Sequence, residues 1–155
     1  MSDVLEAMYR GDRGEAERLA TGRELDIFEA SALGEAERVR RLVAADPSLA
    51  NAWAADGFQP LGLASFFGHE ETARVLVEAG SEVNSASRNP MKVMPLHNAA
   101  AAQDPDVRHS IAKLLLDAGA DPNARQQDDY TPLMAADQHG DARLRELLVA
   151  HGATA

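Results

Sequence analysis

Apolar residues fall at helical spacing in short bursts, each closed by a glycine and separated from the next by a polar stretch. In EETARVLVEAG, Ala73, Leu76 and Val77 share one face by their i, i+3, i+4 spacing, and Gly80 stands where a left-handed residue ends a helix. The preceding QPLGLASFFG opens with a proline at the first turn, where the missing N–H costs nothing, and reaches a glycine eight residues later. The pattern predicts a two-turn helix, a tight turn, a longer second helix and a glycine stop. Between Gly80 and Pro95 the residues are polar or small, as a protruding loop or hairpin requires. Neither helix is long enough to hold in water alone, so each apolar stripe must be covered by its partner helix and by a neighbouring unit.

The pattern recurs. Segments 57–84, 93–123 and 130–155 align with one another, and 25–51 is a looser copy. Asn51 and Asn84 are 33 residues apart, as are Gly119 and Gly152, while Pro60 to Pro95 is 35 and Pro95 to Pro132 is 37. Two extra residues fall in the loop before Pro95. Four fall between Gln103 and Gly119, and both insertions are expected in loops with the helical pattern unchanged. Alanine at matching positions (Ala64, Ala99, Ala100, Ala135, Ala136) lets the first helices approach closely.

The stretches MPLHNAA (94–100), TPLMAA (131–136) and DAGADPN (117–123), with the pair Gly68 and His69, resemble the ankyrin repeat signature. The resemblance covers residues 25–155 and implies an all-α ankyrin repeat solenoid of about five stacked helix-turn-helix units with protruding hairpin loops. Residues 1–24 then read as a degenerate N-terminal cap repeat, followed by repeats 25–51, 52–84, 85–123 and 124–155 in a single domain. The last copy stops at Ala155, after its second helix, as a terminal repeat would, and Arg143, Arg145 and Glu146 suit a solvent-facing cap. His97 occupies the motif's histidine, but Gly62 and Met134 replace it elsewhere, which puts the loop hydrogen bond of that histidine in doubt at both.

Composition narrows the function. With 15 Lys plus Arg against 25 Asp plus Glu the net charge is −10, which repels phosphate backbones and anionic lipid, so neither nucleic acid nor membrane is expected as a partner. There is no cysteine to form disulfides or thiolate sites. No signal-like N-terminus or run of eighteen apolar residues occurs, so a cytoplasmic location and a monomer are expected. The excess of arginine over lysine reads as a GC-rich bacterial composition.

Catalytic constellations are missing. HEETA at 69–73 has Ala73 where a zinc helix needs its second histidine, the histidines never recur at ligand spacing, and no phosphate-binding glycine loop occurs. No enzyme activity, cofactor or metal is expected. The resemblance implies instead a protein-binding groove made by loop tips and first helices. In that alignment the two residues before each first-helix glycine face the groove: Ala32 and Leu33, Phe66 and Phe67, Ala101 and Ala102, Gln138 and His139. The adjacent phenylalanines are candidate anchors. The enlarged loop 85–94 carries the only locally positive tip, giving Arg88, Asn89, Met91 and Lys92 as contacts for an acidic feature of a partner. Phe58 and Tyr130 complete the candidate set, in or just behind the other tips. An inhibitory or regulatory subunit of a bacterial enzyme or toxin, of the immunity or antitoxin kind, is the alternative to a simple binding module.

Overall fold

Helix starts are written into the chain by proline and by short oxygen-bearing side chains. In the computed structural model, which describes residues 1–154, prolines open α5 (Pro60–Phe66), α7 (Pro95–Ala100), α8 (Pro105–Asp117) and α9 (Pro132–His139). Side-chain oxygens of Ser2, Asp12, Asp26 and Asp141 cap α1 (Asp3–Tyr9), α2 (Arg13–Ala20), α3 (Ile27–Leu33) and α10 (Ala142–Ala150), and Asp104 and Thr131 cap α8 and α9. The remaining two helices are α4 (Ala36–Ala45) and α6 (Glu70–Glu78). The described residues contain no strand. The expected all-α architecture of five helix pairs is what the chain adopts; Ala155, the end of the last repeat, lies outside the described residues.

Each pair packs on the next. The inner helices α1, α3, α5, α7 and α9 form one row, and α4, α6, α8 and α10 form an outer row behind it, while α2 packs on α1 and barely touches α4. Between the rows Leu61, Leu76, Leu96, Ile111, Leu115, Leu144 and Leu148 are fully buried. The alanines at matching positions, Ala64, Ala99, Ala100, Ala135 and Ala136, are buried where inner helices meet. A separate apolar cluster joins Val4, Leu5, Ala7, Met8 and Ala16 to Ala32, Leu33 and Leu63.

Asparagines stitch successive units. Asn51 donates to the Gly80 carbonyl at 3.0 Å and accepts from Glu82 N–H at 2.8 Å; Asn84 does the same with Gly119 and Asp121, and Asn123 with Gly152 and Thr154. The motif histidine makes its loop bond at His97, whose Nε2 lies 3.0 Å from the Ala124 carbonyl. Gly62 has no side chain to make it and instead leaves room for the Asn98 amide, and Met134 is exposed.

The four-residue insertion corrects the expectation of an unchanged helical pattern. It leaves the start of the second helix in register, since Pro105 follows Pro95 at the same interval as Glu70 follows Pro60, and lengthens α8 to 13 residues, against 9 in α6 and α10. Four residues are about one helical turn, so the extra segment extends the helix without rotating its apolar stripe far.

Candidate functional site

Three loops project from the inner row at residues 52–59, 85–94 and 124–131, and their backbones are tied to one another. Arg88 N–H donates to the Gly57 carbonyl and Gln127 N–H to the Met91 carbonyl, each at 2.8 Å. The close approach needs Gly57: its φ is +90° and an added Cβ would sit 2.5 Å from the Arg88 carbonyl oxygen. Asn89 uses both ends of its amide here, donating to the Asp56 carbonyl and accepting from Ser87 Oγ and Met91 N–H. The guanidinium of Arg88 lies 4.0 Å from the centre of the Trp53 ring, loop against loop. Lys92 and Met91 are exposed.

Of the pairs before the turn, both residues are exposed at Gln138 and His139, one at Phe66 and at Ala101, and neither at Ala32 and Leu33, which corrects the expectation that both face the groove in every unit. Leu33 and Ala102 are buried, and Phe67 is half-buried against the N-terminal cluster. The outward residues form a column along the stack: Tyr9, Ala32, Phe66, Ala101 and Gln138. Phe66 is 44% exposed and meets Phe67 edge-on at 5.0 Å. Ala32 is completely covered. It lies in the apolar cluster of the first unit, from which Tyr9, not anticipated as part of this face, reaches on to the third. The Tyr9 ring lies 5.9 Å from Phe67 and 6.5 Å from Phe58, and its hydroxyl donates to Asp56 at 2.8 Å. Burial, then the Asp56 carboxylate, pushes that hydroxyl far above the usual phenol range. Phe58 is therefore turned beneath Tyr9. Placing Gly11 in line with Gly68 would have put Tyr9 on the position of Phe66.

Two clefts gather the other candidates. One of about 480 Å³ is bounded by Met8, Tyr9, Phe66, Phe67, Ala101 and Val107. The second, about 360 Å³, lies between the last two loops and brings together Met91, Tyr130 and Gln138 with Gln126, Gln127 and Asp128. The Tyr130 hydroxyl is hydrogen-bonded to the Gln138 side chain. Among the described residues there is no group of three metal-ligating side chains, and no helix is long and apolar enough to cross a membrane.

The turns at the other edge are clamped by polar side chains, of which Arg108 is buried. His69 meets the Ala32 carbonyl at 2.8 Å, and Arg13 donates to the Leu33 carbonyl at 3.1 Å. Arg108, 5% exposed, donates to the carbonyls of Ala102 and Gln103 and to Asp141 at 2.7 Å. These are structural uses of charge, spent before any ligand could reach them.

In a comparison with protein families, the family model described as the ankyrin repeat matches residues 94–127. That segment holds α7, the turn, α8 and the exit loop carrying the Asn123 clamp and the His97 bond. Over these residues the chain is similar to the ankyrin repeat. Ankyrin repeats are generally protein–protein interaction modules and typically not enzymes. In this ankyrin stack the clamps at Asn51, Asn84 and Asn123 recur outside the matched segment as well, so the same joint is used along its length.

Proposed function

We propose that this ankyrin protein binds a partner protein across its inner face, with Phe66, Met91, Lys92, Tyr130 and Gln138 as contacts and with Arg88 and Asn89 holding the middle loop in shape. The observation that carries this reading is Phe66: a large apolar side chain held 44% exposed in mid-stack, beside a cleft with apolar walls. An exposed ring of this kind is an anchor in search of a pocket or a lid, because covering it removes apolar area from water. Phe67 supports it from the side, and Met91, 47% exposed, adds a second adaptable apolar contact at the loop tips. Phe58 contributes from below, through its packing with Tyr9.

Site-specific photo-crosslinking in the native host tests it. A benzophenone side chain at Phe66 or Met91 should give discrete protein adducts, whereas the same group at Arg41 on α4 should not. Adducts from Arg41 alone would place the binding face on the outer row instead.

A further inference from the structure

The column of outward residues alternates large and small: Tyr9, Ala32, Phe66, Ala101, Gln138. The small position at Ala32 is covered from within the molecule, in the apolar cluster of the first unit, and Tyr9 spans that second unit to meet Phe67, Phe58 and the Asp56 carboxylate of the third. The small position at Ala101 is open, and that alanine is exposed. The loop beyond it matches the loop beyond Ala32 in its spacing, although Asp128 is left-handed, φ +62°, where Asp56 is not. Asp128 and Tyr130 stand four and two residues before Pro132, as Asp56 and Phe58 stand before Pro60. The residue between them is left-handed in both loops, with φ +90° at Gly57 and +58° at Asp129.

Phe66 holds the place that Tyr9 holds two units earlier, yet it cannot repeat the contact. It has no hydroxyl, and its ring packs on Phe67. Asp128 is consequently an exposed carboxylate with no side-chain partner among the described residues, at the rim of the cleft shared by Met91, Tyr130 and Gln138.

We infer that the notch over Ala101 receives a tyrosine side chain from the partner protein, seated between Phe66 and Tyr130 with its hydroxyl donated to Asp128, as Tyr9 spans the second unit and donates to Asp56. This rests on the inner face being the binding face. The chemistry selects the occupant. A phenylalanine would cover the Asp128 carboxylate without offering it a donor, which costs more than the ring gains. A second copy of this chain is disfavoured by its net charge of −10, and a neutral or basic segment is the complementary carrier. The notch also continues an interface the molecule already makes with itself, along one groove.

N-acetyl-L-tyrosinamide titrated into the isotope-labelled full chain should produce saturable amide shifts at Ala101, Asp128, Tyr130 and Gln138. N-acetyl-L-phenylalaninamide should bind about tenfold more weakly, the weight of one hydrogen bond to a charge. Asp128→Ala should abolish that difference, and Ala101→Leu, at an exposed position that tolerates leucine, should remove binding of both while the circular dichroism stays helical. Absence of saturable shifts up to the solubility limit overturns the inference, as does equal binding of N-acetyl-L-argininamide. If the Phe66 crosslinker captures a partner whose capture is insensitive to Ala101→Leu, the inner-face reading stands and the tyrosine assignment falls.

Discussion

Single side chains in this stack are used mostly to close backbone carbonyls, and that fixes how they respond to change. Arg108 and Asp141 are both more than nine-tenths buried, and the guanidinium also serves two carbonyls. Arg108→Ala would strand a buried carboxylate and should cost about 3 kcal/mol, read from urea unfolding. Burial tends to raise the Asp141 carboxyl, but the Leu144 N–H, Arg108 and Arg143 outweigh it and the group ends below its ordinary value. A depressed carboxylate contributes stability that is complete above its unfolded value and lost as pH falls through the folded one. Asp141→Asn should therefore flatten the acid limb of the stability curve. The histidines act nearer neutrality. His97 accepts the Met94 N–H on Nδ1, so its proton sits on Nε2, facing the Ala124 carbonyl. Burial lowers both His97 and His69 from 6.5. The unfolded chain takes up protons below that pH which the folded chain refuses, so stability is full above about pH 6.5 and falls on acidification toward the lowered values. Denaturation midpoints at pH 7.5 and 5.5 check this, and His97→Gln should reduce the difference.

Elements here are set by their joints as much as by their own propensity. Asn84→Ala removes two hydrogen bonds across the joint between the third and fourth units and should cost about 1 kcal/mol or somewhat more, with faster amide exchange at Asp121. Gly57→Ala meets both a left-handed backbone and the Arg88 carbonyl, so a loss of about 2 kcal/mol or more is expected, with the first two loops parting. The helix pairs, their proline starts and their glycine stops were legible in the sequence because each rests on local chemistry and on a period that repeats. The length of α8 was not: an insertion in EETARVLVEAG-like sequence reads equally as loop or as an added turn, and only Asp104 capping ahead of Pro105 decides it. The candidate face was legible in outline. Phe66, Met91, Tyr130 and Gln138 line the two clefts, but the exposure of one partner and burial of the other in Phe66 and Phe67 depends on Tyr9, which comes from two units away. No period within a single repeat carries that contact.

At the scale of the whole molecule the stack is held unevenly. Outer helices pack in succession from α4 to α10, but α2 packs mainly on α1, and the first pair is joined to the rest through α1 against α3, the small apolar cluster with Ala16, the Arg13 bond to the Leu33 carbonyl and Tyr9. In an array whose units touch only near neighbours, weakness at one joint lets that unit open without the others. Amide exchange should therefore be fastest in α1 and α2, and Tyr9→Ala should lower their protection further, by about 2 kcal/mol for the lost ring burial, while α6 to α10 keep theirs. Trp53 turns this unevenness into a readout. It is the chain's one tryptophan, and it lies where two loops meet, with the Arg88 guanidinium against its ring. Its fluorescence accordingly reports chiefly the joint between the third and fourth units and responds to the first only through the Tyr9 contacts with the same loop, so a denaturation followed by emission should trail the same denaturation followed by far-ultraviolet dichroism.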